Sequence, residues 1–144
     1  MSNKHPPIVI TCGDPAGVGP EVAVSAWEAL KDEIPLCIII DPDFLPKNIN
    51  IKIFDRAPLT SDIQKNVLTV IQHKFTEHRV PSKPNPKNAE SIIKVIERGV
   101  HFVKNGLCSG ICTMPVSKSI LKDGANFQFP GHTEYLAHLD GKNT

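Results

Sequence analysis

Ile8-Val9-Ile10-Thr11-Cys12-Gly13-Asp14-Pro15-Ala16-Gly17-Val18-Gly19-Pro20-Glu21 decides the fold class. A β-branched apolar run feeds a glycine-rich turn, and a proline opens the amphipathic stretch beyond it. The segment therefore predicts a strand, a tight loop and a helix. The loop does not read as a nucleotide fingerprint. Its glycines at 13, 17 and 19 miss the dinucleotide spacing, and no Lys-Ser or Lys-Thr follows Gly19 as a P-loop requires. Pro20 withdraws an N–H and Asp14 adds negative charge, both unfavourable to a phosphate at this turn. What remains is a βα turn that brings backbone and one or two carboxylates near a cleft.

Outward from this unit, strands and helices alternate as a layered α/β protein requires. Ala23, Ala26, Trp27 and Leu30 repeat at helical spacing from Glu21 to Lys31, with Trp27 as a core filler. Leu36 to Ile40 has no alternation and reads as a strand buried on both faces of a parallel sheet. Asp41-Pro42-Asp43 breaks it as an ordinary loop. Ile49 to Phe54 alternates as a half-exposed strand, and Val67 to Ile71 is a further short β-branched strand. Pro81, Pro84 and Pro86 forbid regular structure, giving an exposed connector inside one domain rather than a boundary. Asn88 is placed to cap a helix from Ala89 to about Lys104, with Ile92, Val95, Ile96, Val100 and Val103 as its apolar stripe and Asn105-Gly106 as its stop. His101, near the end of that helix, is assigned no function. Ser109 to Met114 forms the next strand. No internal repeat or low-complexity tract interrupts the pattern.

Two places beyond that strand carry candidate chemistry. Pro115 ends the ladder, and Lys118 opens a short helix at the strand's carboxyl end, where open parallel sheets bind ligands; Lys118 is therefore a candidate anion contact. Further on, Gly131-His132-Thr133-Glu134 packs a turn, an imidazole and a hydroxyl at a helix start. Thr133 or Gly131 can cap the segment Glu134 to Leu139, leaving first-turn N–H groups and the positive end of the helix dipole free for an anion beside His132. A Gly-Thr capping device with a solvated histidine fits the same spacing.

Other reactive side chains read as structural. Cys12, Cys37, Cys108 and Cys112 lie in or beside apolar runs, form no Cys-x-x-Cys pair, and are expected as buried free thiols. The spacing of Cys108 and Cys112 along a strand does not suit zinc, and His73 and His78 lack the register of a helical metal pair and are expected at the surface. With 144 residues the chain fits one domain. Sixteen basic against fifteen acidic residues, net +1, give no broad footprint for nucleic acid. Among 40% apolar residues there is no run long enough for a bilayer, and Met-Ser-Asn-Lys lacks a signal-peptide core, so a cytoplasmic protein is expected.

Three motifs in order resemble one family, the 4-hydroxythreonine-4-phosphate dehydrogenases of pyridoxal phosphate synthesis. Residues 13 to 21 match its Gly-Asp/Glu-Pro-Ala-Gly-Ile/Val-Gly-Pro-Glu/Asp loop, Thr113 to Lys118 its Thr-x-Pro-Val/Ile-x-Lys strand end, and Phe129 to Glu134 its Phe-x-Gly-His-Thr-Glu turn. The loop also looks like a longer form of the Gly-Asp-Gly-Ile-Gly-Pro-Glu turn of isocitrate and isopropylmalate dehydrogenases. The resemblance implies a three-layer α/β fold of that type, incomplete here, with residues 1–144 as the N-terminal portion of such an enzyme.

By the same resemblance, the parent activity is NAD-dependent oxidation and decarboxylation of 4-phosphohydroxy-L-threonine, with a divalent metal and a homodimeric full-length protein. His132 and Thr133 would contact the phosphorylated small-molecule substrate. No catalytic residue is assigned, and the family's metal-binding histidines fall beyond this sequence, so no metal ligand is assigned either. Two alternatives stand beside this reading: a family member acting on a threonate or erythronate phosphate, and a non-catalytic fragment that only associates with another chain. Because the family's sheet continues past these residues, an exposed apolar edge is expected at Ile111 to Thr113 or at Ile38 to Ile40.

Overall fold

The computed structural model describes residues 5–141. The Met-Ser-Asn-Lys opening, and residues 142–144, lie outside the described residues. Five strands form one sheet: β1 (Ile8–Thr11), β2 (Leu36–Ile40), β3 (Ile51–Phe54), β4 (Leu68–Gln72) and β5 (Gly110–Thr113). Their order is β3-β4-β2-β1-β5 and every pairing is parallel, with Val9 opposite both Cys37 and Ile111. Parallel strands need crossovers: α1 (Gly19–Leu30) joins the neighbours β1 and β2, and α2 (Ala89–Lys104) leads from β4 past β2 and β1 to β5, which pairs with β1. The first crossover runs one way along the sheet and the second runs back. Right-handed connections in opposite directions put the two helices on opposite faces, which gives three layers. Two short helices, α3 (Lys118–Ala125) and α4 (His132–Leu139), follow β5.

The core confirms the unalternating reading of β2. All five of its residues are buried between β1 and β4, joined by Val9, Ile10, Leu68, Val70, Ile71 and Trp27. This same centrality corrects one expectation: Ile38 to Ile40 is not an edge. The edges are β3 and β5, and along β5 only half-buried or exposed side chains occur. Cys112 departs from the expected burial for that reason, whereas Cys12, Cys37 and Cys108 are buried and all four thiols are free.

Three polar residues behave differently from their sequence reading. Asn88 precedes α2 but its side chain does not cap the helix; Asn88 Oδ1 accepts from Glu77 N at 2.9 Å instead. The apolar face of α2 passes through Ile92, Val95, Ile96, Gly99 and Phe102, while Val100 and Val103 are only half-buried. His73 is half-buried rather than a surface group, because Arg98 of α2 reaches across to it and to the Gln72 carbonyl at the end of β4, at 3.1 and 2.9 Å. Asp41 is likewise more than a loop residue. It is buried, with Oδ1 accepting from Asp43 N and Oδ2 from Phe75 N, both at 3.0 Å, so it fastens the end of β2 to the segment after β4. Among the described residues, no helix is long and apolar enough to cross a membrane.

Candidate functional site

The glycine-rich loop is packed inward at the carboxyl end of β1. Residues 12–16 are buried, and Asp14 N donates to the Pro115 carbonyl at 3.0 Å, tying the loop to the segment that leaves β5. Glycine is required at two places. A side chain on Gly13, whose φ is +71°, would collide with the Pro115 carbonyl, and one on Gly19 would collide with the Cys12 carbonyl. The loop's glycines therefore serve close approach of backbone to backbone, and that packing leaves no cradle for a pyrophosphate. Asp14 Oδ1 accepts from Ala16 N at 2.9 Å, while its Oδ2 is buried without a hydrogen-bond partner among the described residues. Burial, with the nearby Asp14 and Asp41 carboxylates adding to it, pushes the Cys12 thiol up to about 12. It is held protonated and is no nucleophile.

Beside this loop lies a cleft of about 250 Å³ lined by Pro115, Val116, Lys118, His132, Gly131 and, at its floor, Ile96, Leu121 and Phe127. Ser117 caps α3, accepting from Ile120 N at 3.5 Å, so Lys118 starts that helix at the rim. His132 starts α4, whose cap is Gly131. No side chain bonds the first-turn N–H groups of α4, so of the two caps the sequence offered Gly131 is the one used and Thr133 is not, and the helix begins at His132, two residues before Glu134. Thr133 is exposed and does not line the cleft. The structure thus brings Lys118 and His132 together and leaves Thr133 outside them. Space beside Gly131 is shared: a Cβ there would lie 3.3 Å from a Glu134 carboxylate oxygen and 3.9 Å from Lys118 Nζ.

α4 is held by an aromatic cluster of Phe127, Phe129, Tyr135 and His138, with neighbouring ring centroids 4.9 to 5.3 Å apart. Tyr135 is buried and its hydroxyl donates to Glu97 of α2 at 2.8 Å. This anchoring fixes the orientation of His132. Its Nε2 is buried with no hydrogen-bond partner among the described residues, and burial lowers the imidazole's pKa, which favours the neutral ring. A neutral imidazole nitrogen, a lysine ammonium and a helix amino end bordering one small cleft can together hold an anion, which would restore the proton that burial removes. Somewhat smaller than ordinary ligand pockets, which run from about 300 to 1,000 Å³, the cleft suits the charged end of a small molecule and not a dinucleotide.

Among the described residues, no three His, Cys, Asp or Glu side chains are grouped to hold a metal. Sequence reasoning missed Arg79. Its guanidinium donates to the carbonyls of Pro15 and Gly17 and pairs with Glu21, although nothing in the His78-Arg79-Val80 context marks it.

The chain is 42% identical over 141 residues to the 4-hydroxythreonine-4-phosphate dehydrogenase of Roseobacter denitrificans, covering 98% of this chain and 43% of the relative. With that of Paracoccus denitrificans the identity is 44% over 138 residues, covering 94% and 40%. A crystal structure of a 4-hydroxythreonine-4-phosphate dehydrogenase from Burkholderia phymatum superposes with a TM-score of 0.85 at 27% identity, over 99% of this chain and 46% of that one. A terephthalate 1,2-cis-dihydrodiol dehydrogenase from Burkholderia xenovorans, at 16% identity and a TM-score of 0.72, shares the fold. The chain spans less than half the length of these relatives. A family model described as pyridoxal phosphate biosynthetic protein PdxA matches residues 23–144, nearly everything after the glycine-rich loop, and the chain belongs to that family.

Proposed function

We propose that these residues form the substrate-side portion of a dehydrogenase that oxidises and decarboxylates 4-phosphohydroxy-L-threonine, in the cytoplasm and as a homodimer when the rest of the enzyme accompanies it. The observation that carries the reading is the buried, unpartnered His132 Nε2 in the cleft that Lys118 also lines. In this proposal Lys118 and His132 hold the phosphate end of the substrate through charge-assisted hydrogen bonds, and Thr133 contributes from the exposed side of the same turn. NAD would accept the hydride and a divalent metal would polarise the alcohol and then the ketone, each chemistry supplied with residues outside the described ones. What this chain does is bind and orient. The glycine-rich loop and the described side chains do not fit either group, so no step of the proposal runs through them here.

Calorimetric titration with 4-phosphohydroxy-L-threonine tests the reading. Binding is expected to tighten as pH falls from 8 to 6, because the phosphate favours protonated His132, and His132→Ala is expected to weaken it about tenfold or more. Equal affinity in the variant would leave His132 with only a structural place at the start of α4. The cleft does not distinguish an amino group from a hydroxyl, so threonate or erythronate phosphate in the same titration decides between substrates.

A further inference from the structure

Four consecutive carbonyls of the glycine-rich loop, from Asp14 to Gly17, are all engaged. That of Asp14 accepts from Gly17 N at 3.0 Å, and that of Ala16 from Ser82 N at 2.8 Å. The other two, of Pro15 and Gly17, accept from Arg79, through Nε and through Nη2 at 3.4 Å. Nη2 also pairs with Glu21 at the start of α1, and the arginine side chain is 18% exposed while Glu21 is 59% exposed. The loop's conformation is thus imposed from a segment more than sixty residues away in sequence. That segment is itself fastened. Lys83 N donates to the Val80 carbonyl to close a turn, Asn88 Oδ1 holds Glu77 N, and Gly124 of α3 lies so close to the Pro86 carbonyl that no side chain would fit. Residues 77–88, which include the Pro81 to Pro86 stretch read from sequence as an exposed connector, therefore bridge the glycine-rich loop on one side and the helix that carries Lys118 on the other.

We propose that Arg79 is a positioning residue for the cleft: by gripping the Pro15 and Gly17 carbonyls it fixes the loop against Pro115, and so sets the wall that faces Lys118 and His132. The chain of contact is short. Arg79 holds residues 15 and 17, Asp14 N bonds the Pro115 carbonyl, and Pro115 and Val116 line the cleft. An arginine suits this task because its planar fork directs several N–H groups at once to separate acceptors, which a single ammonium does not reproduce. The inference rests on the cleft being the substrate site only for its ligand-binding consequence; the positioning itself is readable without ligand.

Three variants of the chain test it: Arg79→Met, Arg79→Lys and Glu21→Gln, with His132→Ala as the reference for the cleft. In ligand-free protein, Arg79→Met is expected to shift the Gly13 and Val116 amide resonances and the His132 imidazole resonances, while Glu21→Gln, which loses only the ion pair, leaves them in place. With 4-phosphohydroxy-L-threonine as probe, Arg79→Met is expected to weaken binding about tenfold, Arg79→Lys less, and Glu21→Gln not at all. Should Arg79→Met fold poorly, Arg79→Lys provides the same readouts with charge retained. Perturbations confined to residues 15–21 and 77–83, or a Glu21→Gln effect equal to that of Arg79→Met, would overturn the proposal. If wild type and His132→Ala bind the probe equally or not at all, the substrate reading fails, and the ligand-free shifts at Val116 and His132 still decide the role of Arg79.

Discussion

His73 takes its chemistry from partners that its neighbours in sequence do not announce. Arg98 donates toward its Nδ1, and burial, reinforced by the Arg98 and Lys94 charges, lowers its pKa below the usual 6.5, against a smaller opposing pull from Asp41. Below pH 6.5 the unfolded chain takes up a proton that the folded protein resists, so the stability present above that pH is lost as pH falls through it. His132, shifted the same way, adds to the trend. The melting temperature is expected to drop between pH 7.5 and 5.5, and to drop less in His73→Asn, which keeps an acceptor but no titrating group. A second residue-scale expectation concerns Gly19. Gly19→Ala drives a methyl into the Cys12 carbonyl, which is backbone and cannot swing aside, and should cost about 1–3 kcal/mol in a urea titration. The need for glycine at 13 and 19 was legible from the loop's composition. The grip of Arg79 and the cross-sheet reach of Arg98 were not, since each depends on a partner brought near only by the folded sheet.

At the level of elements, the strands and helices were legible because their periods differ. Leu36 to Ile40 has no alternation and is buried on both faces, and the 3.6-residue repeat after Asn88 marks α2 to its last residue. Of the two edges offered by the sequence, Ile111 to Thr113 is one and Ile38 to Ile40 is not, because edge position follows from pairing order and not from the strand's own pattern. β5 has its outer side unpaired among the described residues, and Cys112 on it is exposed while the other three thiols are buried. One thiol is therefore expected to react rapidly with a disulfide reagent in native protein and four in denaturant, with Cys112→Ser abolishing the rapid phase. α4 supplies another expectation. Tyr135→Phe removes the part-buried bond to Glu97 while retaining the aromatic packing, at a cost of about 1 kcal/mol. Faster amide exchange confined to α4, with α2 unchanged, would verify that this bond holds the helix that carries His132.

On the scale of the whole molecule, fold and family were legible from three short motifs in order, whereas the cleft was not, because Lys118 and His132 meet only when α3 and α4 fold back over α2. Among the described residues no metal-ligating triad is grouped, and the glycine-rich loop is filled by its own backbone. The 144 residues alone are accordingly expected to reduce no NAD in the presence of 4-phosphohydroxy-L-threonine and a divalent metal. What they are expected to retain is recognition of the phosphate end. The most direct measurement is a crystal structure of this protein soaked with 4-phosphohydroxy-L-threonine. The expected result places phosphate oxygens within hydrogen-bond distance of both Lys118 Nζ and His132 Nε2, at the amino end of α4. A ligand bound elsewhere, with His132 Nε2 still unpartnered in its cleft, would contradict the assignment of this site.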